Sequence, residues 1–351
     1  RILPPNCRNL TILSIRRCRR LSDSCVGEVV AAFGPQLIEL DLAHCRQLGD
    51  TSARSALYCC TRLSHLEFDG IRLSKRALSA TDNPDESGGE DPSSAEPRPS
   101  SARSALTFAL KLSSTTTLLQ ANLTALSLDG CRLLDEEAIC KLCACVPCLR
   151  KLMLGGTAAS DAVVETLGTH TPQLRVLSLQ GCEVSHATLP LLLLGCNSLA
   201  VLDFARCPRI TQLAFHHSSH SLRELHLCHT PALSAAAFLS ICECCCSLTA
   251  LWLQACVVLD DSILLQICSG CPSIRRLQLS HSVLITERGC FYVLMECRDL
   301  VELRLCGCSQ LDDSTVLQAV NDCRVGLRVL ELPSGEIVNN VIDTTGWLYR
   351  S

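Results

Sequence analysis

The stretch Cys297-Arg298-Asp299-Leu300-Val301-Glu302-Leu303-Arg304-Leu305-Cys306-Gly307-Cys308-Ser309-Gln310-Leu311-Asp312-Asp313 decides the fold. Leu300, Leu303 and Leu305 spell L-x-x-L-x-L, with Cys297 three residues before the first leucine and Cys308 eight residues after it. The step of two from Leu303 to Leu305 puts both side chains on one side of an extended chain. Leu311-Asp312-Asp313 then leads into an apolar-periodic run. An aspartate at such a point offers an oxygen to the unpaired N–H groups of a helix start. One unit therefore reads as a short strand, a turn, and a helix of two to three turns.

Outward from this stretch the same pattern recurs along the chain. Its first apolar residue falls at Leu10, Leu37, Leu63, Leu123, Leu149, Leu174, Leu199, Leu222, Leu248, Ile274, Leu300 and Leu327, at intervals of about 26 residues. Cys18, Cys45, Cys131, Cys182, Cys207 and Cys256 share the register of Cys308, and Cys7, Cys60, Cys196, Cys245 and Cys271 share that of Cys297. The helix-start signal returns in Leu21-Ser22-Asp23, Leu48-Gly49-Asp50, Leu134-Asp135 and Leu259-Asp260-Asp261. The step from Leu63 to Leu123 is one period plus about 34 residues. That surplus matches a polar, Ser/Pro-rich and acidic segment, 79–104, whose composition cannot bury a core. It is expected to be a disordered loop inserted in the third repeat, either a tolerated surface insertion or a carrier of phosphorylation or a partner motif. No repeat can bury its apolar face alone, so neighbours must stack, and 1–351 is expected to be a single α/β solenoid domain of about 12 repeats. Pro333 and Gly335 break the pattern, and 333–351 is expected to be a C-terminal cap in which Val338 to Leu348, with Trp347, cover the last open core.

Composition agrees. Of 351 residues, 48% are hydrophobic and 19% charged, which excludes wholesale disorder. The net charge of −4 argues against a nucleic-acid binder built on a basic surface, so no nucleic acid is expected as partner. Aromatic residues supply only 3%, so the 63 leucines and 27 cysteines must fill the core. No apolar run reaches the ~18 residues of a membrane span, and no membrane association is expected. A core-rich chain with this much cysteine suits a reducing compartment, cytoplasm or nucleus, where free cysteine packs as a small hydrophobe. The sequons at Asn9 and Asn122 straddle leucines at strand starts and are not expected to be glycosylated.

This periodicity resembles the cysteine-containing leucine-rich repeats, whose pattern is C-x-x-L-x-x-L-x-L-x-x-C followed by L-[ST]-D and a helix. The resemblance covers nearly the whole chain and is closest to the repeat region of F-box and leucine-rich-repeat proteins. It implies a horseshoe, strands on the concave face and helices on the convex, that recognises substrates for an SCF-type ubiquitin ligase. The family's F-box would lie N-terminal to Leu10, and adaptor and cullin are expected as partners only with such a segment upstream. F-box-less repeats of this type are also similar to structural subunits of stable assemblies such as ciliary axoneme complexes, and to cell-cycle regulators of mitotic exit.

The non-leucine strand positions of such a solenoid point into the concavity and are the expected partner-binding surface. The early repeats supply an acidic group, Glu39, Asp41, Glu67 and Asp69, with His44, His65 and Asp129. The late repeats supply a mixed group, Glu224, His226, Trp252, Gln254, Arg276, Gln278, Glu302 and Arg304, in which Trp252 is expected to be exposed. Tryptophan and arginine are enriched at the energetic centres of interfaces, so Trp252, Arg276 and Arg304 lead the candidates. Between the groups, Ala125, Ser127, Val176, Ser178 and Val201 are bland.

Chemistry is not expected. Cys140 to Cys148 contains C-x-x-C twice, and four cysteines fall within Cys242 to Cys246, spacings that can bind zinc. Both clusters sit where this repeat places cysteine for packing, and a helix points adjacent cysteines apart. His216, His217 and His220 lie together without a recognisable ligand pattern. No phosphate-binding glycine motif occurs. The chain is expected to be a non-catalytic scaffold with no metal and no cofactor.

Overall fold

The computed structural model describes residues 7, 9–77, 122–215, 220–323 and 326–339. The expected insertion at 79–104, the residues of the cap beyond Asn339, and His216 and His217 lie outside the described residues. The chain divides into two compact units, 1–149 and 150–351.

In the first unit, β1 (Ile12–Ser14), β2 (Glu39–Asp41), β3 (His65–Glu67) and β4 (Ala125–Ser127) are parallel and in register. Leu13, Leu40, Leu66 and Leu126 line up at the strand centres and are buried. Helices α1 (Asp23–Phe33), α2 (Asp50–Cys59) and α3 (Glu136–Cys145) follow the first, second and fourth strands. Each turns its apolar stripe inward, as with Val26, Val29, Val30 and Phe33 of α1. A fully buried leucine is worth roughly 1.5–3 kcal/mol, and the repeat recovers that only because its neighbour supplies the other wall.

The second unit continues the plan with β5 (Lys151–Met153), β6 (Val176–Ser178), β7 (Val201–Asp203), β8 (Glu224–His226), β9 (Ala250–Trp252), β10 (Arg276–Gln278), β11 (Glu302–Arg304) and β12 (Val329–Glu331). All eight are parallel. The helices are α4 (Asp161–His170), α5 (Leu189–Gly195), α6 (Ala235–Cys244), α7 (Asp261–Gly270), α8 (Glu287–Glu296) and α9 (Asp313–Cys323). Between β7 and β8 no α-helix is found among the described residues. The last strand, β13 (Ile337–Asn339), pairs antiparallel with β12 and buries Val338. The chain thus reverses at Pro333–Gly335, where the pattern was expected to stop.

Three repeating devices hold these stacks. Seven residues after the first leucine the backbone enters the left-handed region in both units, at Arg17, His44, Gly70, Gly130, Gly156, Gly181, Arg206, His229, Ala255, His281 and Gly307. This kink lets the N–H reach the next repeat: His44 N donates to Asp69 O at 2.6 Å and Gly307 N to Pro333 O at 2.9 Å.

The second device is the cysteine that follows the kink. In the first unit the Cys45 thiol donates to Ile15 O at 2.9 Å and that of Cys131 to Phe68 O at 3.1 Å. In the second unit Cys207 donates to Leu179 O at 3.0 Å and Cys308 to Leu279 O at 3.3 Å. Ser282 makes the same bond to Leu253 O at 3.5 Å. The register thus calls for a small buried donor that satisfies a carbonyl at the preceding strand end.

The third device refines the helix-start reading. Ser22, Asp135, Ser160, Asp260 and Thr286 cap their helices through side-chain oxygens. The aspartate in the first turn instead reaches forward to the next repeat. Asp50 accepts from Ser74 N at 2.7 Å, Asp161 from Ser185 N at 2.6 Å, and Asp261 from Thr286 N at 2.9 Å and Thr286 Oγ1 at 2.5 Å.

Candidate functional site

Strand alternation turns every second side chain out of the core. In the first unit the outward acids do not stand bare. Asp41 accepts from Ser14 Oγ on Oδ2 at 2.8 Å and from Ala43 N on Oδ1 at 3.0 Å, and Arg16 Nε lies 3.4 Å from Oδ2. Arg16 also reaches Glu67 at 3.4 Å, and His65 lies 3.9 Å from Glu39. Asp69 accepts from Ser127 Oγ at 2.5 Å and Asp129 N at 3.2 Å. Asp41 and Asp69 thus hold the strand-end turns, and Arg16 meets two of the four carboxylates, Asp41 and Glu67. Arg16 was absent from the sequence expectation although it shares the register of Asp69, Asp129 and Gln254, six residues after the first leucine; its position was legible, but its reach to Asp41 and Glu67 was not.

The second unit gathers its candidates into one layer. His226 and Trp252 are lateral partners on β8 and β9, and their rings stack with centroids 4.0 Å apart at 21°. The Arg276 guanidinium lies 5.3 Å from the centre of the Trp252 ring. The same guanidinium bonds Glu224 Oε1 at 2.6 Å. Arg276 and Glu224 are two strands apart, with Ala250 between them in register. The alanine, buried and short, leaves the path across it open. Trp252, expected to be exposed, is half-buried because His226 and Arg276 cover its two flanks. Beside the stack, Gln278 Nε2 donates to Gln254 Oε1 at 3.2 Å. Arg304 bonds Glu302 at 2.5 Å and lies 3.8 Å from Glu331.

Electrostatics set the state of this layer. Burial lowers the pKa of His226, with Arg276 acting in the same direction and Asp203 and Glu224 opposing. The imidazole is therefore neutral near pH 7. His226 Nε2 is buried and has no hydrogen-bond partner among the described residues. Asp203 and Glu331 belong to the layer and were absent from the sequence expectation. Asp203 accepts from Ser178 Oγ and Ala205 N, both at 2.9 Å. The outward position of each was legible, but which neighbour it would meet was not. A ring stack of this kind is worth about 0.5–1.5 kcal/mol and an exposed ion pair about 0–1 kcal/mol. The layer is pre-ordered at modest cost and presents flat, amphipathic surface, which suits recognition.

In the two cysteine clusters Cys143, Cys244 and Cys245 are buried in the core, whereas Cys145 and Cys246 are exposed. Burial pushes the Cys60, Cys131, Cys207, Cys256, Cys271 and Cys290 thiols up to about 12, and those of Cys242 and Cys308 to about 11. Cys143 and Cys245 are raised further by the same cause. Such thiols stay protonated and are poor nucleophiles and ligands. Among the described residues no group of three or more His, Cys, Asp or Glu side chains is placed to hold a metal ion. No described helix is long and apolar enough to cross a membrane.

No protein-family model matches this chain, and no curated protein matches it. Solved structures do. A chain of the Rad7 and Elc1 complex in yeast is similar over 88% of this chain and 70% of its own length, at 18% identity and a TM-score of 0.54. A chain of the TLR13–ssRNA13 complex is similar over 93% of this chain, at 17% identity and a TM-score of 0.51. This chain spans 50% of the length of that second one. These structures are leucine-rich-repeat proteins, and with the repeated strand–turn–helix units they show that this chain has the α/β leucine-rich-repeat solenoid fold.

Proposed function

We propose that the chain, read as one leucine-rich-repeat domain over 1–351, is a non-catalytic protein-interaction scaffold. Its partner binds the outward strand face of the second unit. The observation that carries this reading is the His226–Trp252–Arg276 stack, held by Glu224 outside the core. The repeat's core, caps and ties between repeats use none of these three side chains, so two rings and a guanidinium arranged there serve contact rather than stability. Trp252, Arg276 and Arg304 are the anchors, with Gln278 and Glu302 beside them. The acidic group Glu39, Asp41, Glu67 and Asp69 is a secondary surface, because Arg16 already meets two of its carboxylates.

The finer reading is substrate recognition for an SCF-type ubiquitin ligase in the cytoplasm or nucleus, with adaptor and cullin reached through an F-box upstream of these repeats. The resemblance of the repeat pattern to that family supports it, and the Rad7 chain occurs in a complex with Elc1. Affinity purification of the full-length protein from its own cells, as wild type and as Trp252→Ala/Arg304→Ala, tests both levels. The scaffold reading expects a stoichiometric partner that the double variant loses while remaining folded. Equal recovery by the variant refutes this choice of face. Recovery of axonemal proteins without adaptor and cullin refutes the ligase reading.

A further inference from the structure

A second outward surface of the 150–351 unit is not absorbed by this reading. One residue after the first leucine of each repeat stand Arg150, Arg175, Ala200, Arg223, Thr249, Arg275, Val301 and Arg328. An unbroken backbone ladder joins them. Arg175 N donates to Arg150 O, Ala200 N to Arg175 O, Arg223 N to Ala200 O and Thr249 N to Arg223 O, each at 2.8 Å. Arg275 N donates to Thr249 O at 2.8 Å, Val301 N to Arg275 O at 2.7 Å and Arg328 N to Val301 O at 2.8 Å. The five arginines therefore form one lateral row at the strand entries, and all five are exposed.

None of the five guanidiniums forms an ion pair among the described residues. Arg223 donates to Ser247 O at 3.1 Å. In contrast, Arg276 and Arg304, one and three residues beyond the row register of their strands, are both paired with glutamates. In the three residues before each first leucine, Asp299 is the only acid among the described residues, and Arg298 adjoins it. The exposed acids Glu243, Glu296 and Asp322 lie further back, at the helix ends. The repeat does not itself require arginine here: the same ladder in the first unit carries Thr11, Ile38, Ser64 and Thr124. A row of five unpaired cations on a chain of net charge −4 is thus a local feature.

We infer that this arginine row docks an extended acidic peptide that runs across the strands. Strands lie about 4.8 Å apart, so Arg175, Arg223, Arg275 and Arg328, on every second strand, repeat at roughly 10 Å. A peptide in the extended polyproline II conformation turns once in three residues and rises about 3.1 Å per residue, so acids at every third residue share one face and meet successive guanidiniums. The whole row is about 34 Å long, the span of about ten extended residues. A peptide strand is narrow enough to stay on this row. A nucleic acid is wider, would meet the carboxylates of Glu302 and Asp203 beside it, and finds no exposed aromatic platform in the row on which to stack bases.

Fluorescence anisotropy with the full chain tests this. The probes are a peptide of four Glu-Ser-Gly repeats, its Gln-Ser-Gly counterpart, and a single-stranded oligouridine of similar length. The inference expects the glutamate peptide to bind, more weakly as salt rises, and the glutamine peptide not to bind. Arg175→Glu/Arg223→Glu/Arg275→Glu should lose at least tenfold in affinity, whereas Arg132→Glu in the first unit and Trp252→Ala should not change it. Should the triple glutamate variant fold poorly by circular dichroism, the triple glutamine variant replaces it, with the same direction expected. Absence of glutamate-peptide binding, equal binding by a folded triple variant, or tighter binding of the oligouridine overturns the inference. Because Trp252→Ala leaves this assay unmoved, its outcome is separate from that of the stacked layer.

Discussion

Gly307→Ala should destabilise the protein by more than any backbone preference accounts for. Gly307 sits at the left-handed kink with φ +72°, and its N–H is committed to Pro333 O at 2.9 Å, so the backbone cannot relax to another region. A side chain in that region costs about 1–2 kcal/mol. A Cβ there would also clash with Nδ1 of His281, the kink residue of the preceding repeat, and stand 2.7 Å from its Cε1. The ring must swing aside, at about 0.5–1.5 kcal/mol for a displaced rotamer. Gly181 provides the reference: its φ is +68°, its N–H is likewise bonded across repeats, and nothing lies within 4 Å of its Cβ position. Urea titrations should therefore give a loss of about 1–2 kcal/mol for Gly181→Ala and about 2–3 kcal/mol for Gly307→Ala, with unchanged slope. In a His281→Ala background the Gly307→Ala loss should shrink to the Gly181→Ala value. Equal losses for the two glycines, or no relief from His281→Ala, would refute the reasoning. Ala255, already at φ +57°, shows that the conformation is tolerable for alanine where the neighbour allows it.

Other outcomes follow from the same geometry. Asp261→Ala strips Thr286 of two charged acceptor contacts between α7 and α8 and should cost about 2 kcal/mol in urea titration; a loss below ~0.5 kcal/mol would show that the forward bonds carry no stability. The folded protein resists protonation of His226 more than the unfolded chain does, so the unfolded state binds more protons as pH falls below about 6.5. The thermal midpoint should accordingly decline from pH 7 toward 5, and His226→Phe, which keeps a ring on Trp252, should flatten that decline; an unchanged pH slope would sink the assignment. A colorimetric thiol reagent should label exposed Cys18, Cys59 and Cys246 in the native protein but reach Cys207, Cys256 and Cys308 only on unfolding, as mass spectrometry of the labelled chain would show.

Much of this protein was legible in its sequence, because the determining interactions are local and repeat. The strand centres, the inward leucines and the helix starts follow from periods of two and of about 26, and every first-leucine register fell on an observed strand entry. The two cysteine registers were readable as packing sites, since a thiol is small enough to be buried and can still satisfy one carbonyl. The alternation also identified most outward residues, and with them the rings and guanidinium of the candidate layer. Arg16, Asp203 and Glu331 escaped because residue type and position do not reveal which outward side chains are long enough to meet.

By itself, then, the sequence determined the repeat, its core and the set of side chains that leave the core. Only the stacking of repeats decided which of those side chains are spoken for. Parallel strands bring residues from positions about 26 and about 52 apart within reach of one another. A side chain as short as Ala250 or as long as Arg276 then settles the pairing. That lateral geometry half-buries Trp252, turns helix-start aspartates into ties between repeats, and leaves one row of arginines in the second unit without an ion pair among the described residues.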